Sequence, residues 1–181
     1  MLAGSVGPAG AQTKVKRDQL TPAEADIVRD AQQIDQRMAV FVKAIDRRMA
    51  VLAGSTVDPA KTGKLPKNAP DWGEMPTGTP AQLYRDIERI LDEAINNIDD
   101  IATREPESKL MMRGAKVLGE ACKTLLPKLK AFDEKATDKT EKIALGAAIE
   151  YAQSVLDSMG KVPANIDEPE PKEKKDKSKK P

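Results

Sequence analysis

Apolar residues from Ile27 onward recur at Ala31, Ile34, Met38, Phe41, Ile45 and Leu52, in steps that mostly alternate between four and three. That spacing lays one continuous stripe along an α-helix. Ahead of it stands Thr21-Pro22-Ala23-Glu24. In such a box the threonine accepts from the third-position amide, the glutamate accepts from the threonine amide, and proline sits where no donor is needed. With Gly54 as a stop, the pattern predicts one helix over residues 22–53, roughly 48 Å long at ~1.5 Å per residue. Arg48 falls on the stripe and interrupts it, with Met49 beside it to cover the gap. Inside this helix Ile34-Asp35-Gln36-Arg37-Met38-Ala39-Val40-Phe41 recurs as Ile45-Asp46-Arg47-Arg48-Met49-Ala50-Val51-Leu52. The offset of 11 residues is close to three turns, so both copies present the same face, suited to internal packing or to a coiled-coil-like partner surface.

Three more helices follow from the same reasoning. Thr79-Pro80-Ala81-Gln82 repeats the capping design and opens a helix over 80–104, with a seam of Tyr84, Ile87, Leu91, Ala94, Ile98 and Ile101. Leu83, Ile90 and Ile95 widen that seam enough to require two neighbours. After Pro106, a seam from Met111 through Ala115, Leu118, Cys122, Leu125, Leu129 and Phe132 to Ala136 predicts a helix over 107–136. Pro127 should kink it near Lys123, and Gly114 and Gly119 would let a neighbour approach closely. Asp138-Lys139-Thr140-Glu141 opens a last helix over 139–159. Its small and apolar run from Ile143 to Ile149 suits the crowded centre of a bundle.

Between the first two helices, Gly54–Gly78 holds Pro59, Pro66, Pro70 and Pro76 and cannot form regular structure. At about 25 residues it far exceeds the ~2–8 residues usual between bundle helices. The fold class that results is all-α: a four-helix bundle-like domain over 21–160 with a long Pro/Gly-rich loop after the first helix. Residues 1–20 form a leader and polar lead-in, and 161–181 a disordered lysine-rich tail.

Composition changes this picture by subtraction. The chain has no histidine, so His-containing triads, His-bound zinc or haem, and Glu-x-x-His di-iron sites are excluded. The single Cys122 can form neither an internal disulfide nor a thiolate cluster, and its place on a helix seam marks it as a small hydrophobe. No phosphate-binding glycine loop, nucleophile elbow or Cys-x-x-Cys occurs. No catalytic, cofactor-binding or metal-binding residue is therefore expected, and the chain reads as non-enzymatic. The acidic residues Asp92, Glu93, Asp99 and Asp100 lack a Ca²⁺-loop pattern and read as a solvated face.

Thirty basic against twenty-nine acidic residues leave no global field to steer the protein to nucleic acid or an anionic membrane. Locally the signs separate. Pro80–Glu105 holds seven acids and three bases, Glu107–Lys135 four acids and seven bases. Opposite charge favours packing these two consecutive helices side by side. The tail from Lys172 to Lys180, six lysines and two acids, allows only non-specific phosphate contacts.

At the other end, Ala9-Gly10-Ala11 has the small-x-small form of a signal-peptidase site but lacks a charged n-region and a full apolar run. The leader reads as the remnant of a secretion signal, giving a periplasmic or secreted protein, with a cytoplasmic leader as the other reading. No stretch reaches the ~18 apolar residues of a transmembrane span.

The candidate contact residues are Trp72, Tyr84 and Arg48. Trp72 either pins the long loop to the helices or offers an anchor to a partner or ligand. The expected function is structural or protein-interacting, with a protein partner or a second copy meeting the first helix's seam. A small-ligand carrier with an inter-helix cavity gated by the Trp72 loop is the alternative, and weak nucleic-acid association through the tail is a third.

Overall fold

The computed structural model describes residues 17–62 and 68–159. The small-residue leader up to residue 16, the lysine-rich tail and the middle of the long loop lie outside the described residues. Among the described residues the chain is all-α, with five helices and no strand. They are α1 (Pro22–Asp30), α2 (Ile34–Leu52), α3 (Pro80–Arg104), α4 (Lys109–Asp133) and α5 (Lys139–Met159).

The single helix expected over 22–53 is two. Local sequence does not explain the break, since Ala31, Gln32 and Gln33 are all good helix formers. Long-range charge does. Glu24 bonds to Arg47, 23 residues away. On one straight helix the two would stand about 35 Å apart at ~1.5 Å per residue. They can meet only if the chain turns back after α1. Side chains then replace the missing backbone bonds at the break: Arg37 Nε donates to the Ala31 carbonyl (3.1 Å) and Gln32 Nε2 to that of Arg29 (3.0 Å).

The starts follow the sequence. Both capping boxes form in full, Thr21 with Glu24 and Thr79 with Gln82. Ser108 caps α4, and Asp138 Oδ1 accepts from the Glu141 amide at 2.8 Å at the start of α5. α4 runs through Pro127 without interruption, and that residue is exposed.

The four longer helices surround one core in the cyclic order α2, α3, α5, α4. Met38, Phe41, Ile87, Ile90, Leu91, Leu118, Leu129 and Leu145 fill it. Two expectations change here. The oppositely charged α3 and α4 are not side-by-side partners but lie across the core from one another, touching far less than either touches α5. Buried apolar area outweighs the attraction between exposed charges, which is worth little in water. Nor is α5 enclosed on all sides. Ala144, Leu145, Ala148, Ala152 and Val155 form its buried face, whereas Ile143 is 62% exposed.

Gly114 does mark a close approach. A Cβ there would lie 3.2 Å from Met38 Cγ and 3.5 Å from the Asp35 backbone on α2. Gly146 is different, because a Cβ there meets nothing within 4 Å. Gly146→Ala should therefore stabilise the protein by about 0.5–1 kcal/mol through helix propensity alone. Thermal melts of the two proteins check this, and an unchanged or lowered Tm would refute it.

Candidate functional site: a buried charge cluster under the Trp72 loop

The structure's most unusual chemistry lies where α1, α2, α3 and the long loop converge. Four charged side chains there are sealed from water: Glu24, Arg47, Arg48 and Asp86. Burial of ionised groups is costly unless each finds opposite charge and hydrogen bonds. Here nearly all do.

Glu24 is placed by the α1 capping box and saturated by four donors. Its Oε1 accepts from Arg47 Nη1 (2.6 Å) and Arg48 Nη1 (3.0 Å), and its Oε2 from Arg48 Nη2 (2.8 Å) and the Thr21 amide (2.9 Å). Arg48 also bonds the carbonyls of Ala44 (2.7 Å) and Gln19. Arg47 reaches outward to the loop, donating to Asp58 Oδ1 (3.2 Å) and the Glu74 carbonyl (2.6 Å). Asp86 on α3 pairs with Arg17 at 2.7 Å, while Arg48 Nε stands 3.9 Å away. Three arginines thus face three carboxylates, Glu24, Asp58 and Asp86. Two buried atoms remain without a hydrogen bond, Arg48 Nε and Asp58 Oδ2.

Opposing forces act on the two deepest acids. Burial is the largest influence on Glu24 and would raise its pKa, but the bond and charge of Arg48, the Thr21 amide and the charge of Arg47 outweigh it and hold the carboxyl below the ordinary 4.5. Asp86 goes the other way. Burial pushes it above the ordinary 3.8, and Arg17, Arg48 and Arg89 recover only part.

The signs of linkage therefore differ. Glu24's contribution is present above its unfolded pKa and lost as pH falls through its folded one. Asp86's is present below its unfolded pKa and lost as pH rises through its folded one. Comparing the wild type with Asp86→Asn isolates the second effect, since Glu24 is common to both. The wild type should gain stability relative to the variant as pH falls from neutral toward the ordinary aspartate range. Denaturant titrations across that range check it, and a gap that stays constant or shrinks would contradict the assignment.

The described parts of the long loop, up to residue 62 and from residue 68, lie over the cluster. Trp72 is buried, its ring 5.6 Å from the Arg47 guanidinium and 5.8 Å from Lys43 Nζ. Asp58, Ala60, Glu74 and the Lys61–Gly73 bond tie both ends of the loop to the same spot. Gly73 has φ +61°, and a Cβ there would come 2.9 Å from the Cβ of Ala23, so only glycine lets the loop lie against α1.

Of the expected contact residues, Trp72 and Arg48 lie in this neighbourhood. Arg48 does not interrupt the apolar stripe so much as carry its own counter-ion into it. Tyr84 lies elsewhere, buried with its ring 6.1 Å from Phe132. Burial first, and then the charge of Glu141, push its hydroxyl up to about 12. Cys122 is buried on α4, its thiol likewise pushed up to about 12 by burial.

Sequence reasoning missed Glu24, Arg47, Asp58 and Asp86. A usable signal existed for one: Asp86 sits three residues after Leu83 and four before Ile90, on the apolar face of its helix. An acid on one stripe and Arg48 on another are natural partners.

Beside the cluster a cleft of about 460 Å³ opens between Arg17–Ala23 and Glu74–Thr77, with Arg48 in its wall. Among the described residues no group of three or more His, Cys, Asp or Glu could hold a metal ion, and no helix is long and apolar enough to cross a membrane. No known protein family, curated protein or solved structure matches the chain.

Proposed function

We propose that the protein is a non-enzymatic, four-helix bundle-like scaffold with a structural or protein-interaction role, acting in the periplasm or outside the cell. The observation that carries this reading is how the buried charges are used. Glu24 bonds both Arg47 and Arg48, and the arginines otherwise bond Asp58 and backbone carbonyls. A catalytic group needs a reacting atom within reach and a partner it can exchange with. Here the carboxylate is saturated, and the one thiol is protonated and buried. The arrangement suits a clasp that fixes shape. Export rests on the small-residue segment ending at Ala11.

A second reading, the small-ligand carrier, draws support from the cleft beside Arg17 and Arg48, walled by Leu20, Met75 and Pro76. Cross-linking of the full chain in its native compartment, with the cross-linked peptides mapped, separates the two. Cross-links to another polypeptide on the outer faces of α2–α5 support the scaffold. A small molecule retained in native mass spectra, together with a Trp72 emission that shifts when it is stripped, supports the carrier and overturns the scaffold.

A further inference from the structure

We infer that residues 17–30, α1 with its lead-in, exchange between two copies of this chain, so that Glu24 of one copy completes the Arg47–Arg48 site of the other. This rests on the structural role proposed above and names a second copy of the chain as a partner. Its failure would leave a scaffold for other partners untouched.

The argument starts at the break. Sequence commonly ends a helix with glycine, asparagine or a following proline, and commonly begins one with a capping side chain. The junction at 31–33 has neither. α1 ends on Ala31 at φ −73°, and Gln33 at the start of α2 makes no side-chain cap bond. Alanine and glutamine are among the strongest helix formers. The apolar stripe runs through the junction in register, Ile27, Ala31, Ile34, Met38. Locally the chain is written as one helix, and the fold holds it as two.

What holds it is the set of contacts that residues 17–30 make on the rest of the molecule. Glu24 reaches Arg47 and Arg48, Arg17 reaches Asp86, Gln19 Nε2 donates to Glu93 (2.8 Å), and Arg89 donates to the Arg17 carbonyl (3.2 Å). Each is a bond between residues 17–30 and the body. Each can be made equally by the same segment of a second copy.

In the exchanged form residues 22–52 become one straight helix. The Arg29 and Ala31 carbonyls, served in the closed form by Gln32 and Arg37 side chains, then accept from the amides four residues on. The docking contacts are conserved, helix is gained, and the cost is association of two chains. Segment exchange through a short junction is a low-cost route to a dimer.

The test uses the full chain refolded from denaturant at high protein concentration and analysed by light scattering after chromatography. The expected result is a species of twice the 19.7 kDa chain mass that persists on dilution, because leaving it requires residues 17–30 to undock. Gln32→Pro forbids the continuous helix at an exposed site. It should lower the dimer constant at least about a hundredfold, the weight of a proline in a helix interior.

Gln33→Asn provides a milder check should the proline variant fail to fold. It caps α2 and weakens helix across the junction, for a loss of roughly tenfold. A chain that stays monomeric at all concentrations after such refolding overturns the inference. So does a dimer that both variants leave intact.

Discussion

Glu24→Gln should lower the free energy of unfolding by about 3–5 kcal/mol, the usual consequence of removing one partner from a buried ion pair. The substitution is chosen because glutamine preserves the other duty of this residue. Gln82 fills the same place in the second capping box and returns the bond to Thr79. A glutamine at position 24 can therefore still cap α1, and the loss will report the charge together with the Arg47 and Arg48 bonds to Oε1, which an amide nitrogen cannot accept. Two guanidinium groups, with 0% and 1% of their side chains exposed, would remain without the carboxylate that binds both.

Domains of this size hold only ~5–15 kcal/mol in total, so the variant should sit near the edge of folding. Replacing Glu24→Leu, Arg47→Met and Arg48→Met together should recover part of the loss, since apolar residues of similar volume need no counter-charge, while Asp58 loses its arginine and Asp86 keeps Arg17. Urea unfolding of the single and triple variants measures both. A glutamine variant within about 1 kcal/mol of the wild type would show that the cluster is not a clasp.

Trp72→Ala should cost about 3–5 kcal/mol, the range for truncating a buried large aromatic. Its effect should also be spread differently. Trp72 is the loop's apolar anchor, set against Arg47 and Lys43, and the loop in turn supplies Asp58 and the Glu74 carbonyl to Arg47. Removing the ring loosens those bonds as well. Amide exchange should accelerate first in residues 58–62 and 68–77 and in α1, before the α3–α5 interface. Uniform acceleration across all five helices would mean instead that Trp72 serves the common core and not the cover.

Helix types, caps and most buried positions were legible in the sequence because they rest on local rules. The two capping boxes, the α3 seam and the close approach at Gly114 are each written within a few residues. The break at 31–33 was not legible, because its cause lies at Arg47 and Arg48. The diagonal placement of α3 and α4 was hidden for a similar reason: helical periodicity says which face is buried and not against what. Trp72 could be read as an anchor, but its binding place could not. Glu24 is the sharpest case. As the third residue of a capping box it had a complete local explanation, and nothing within α1 hinted that the same carboxylate ties together two arginines of α2.

The position of α5 sets the order in which this chain can mature. Among the described residues it is the last helix to be synthesised, yet it is the piece that joins α3 to α4, which have little contact of their own. While the ribosome has released only the first four helices, α3 and α4 each lack the neighbour they touch most. A chain cut short before Ala144 should thus be a target for chaperones and proteases, and committed folding has to wait until residue 159 has cleared the exit tunnel.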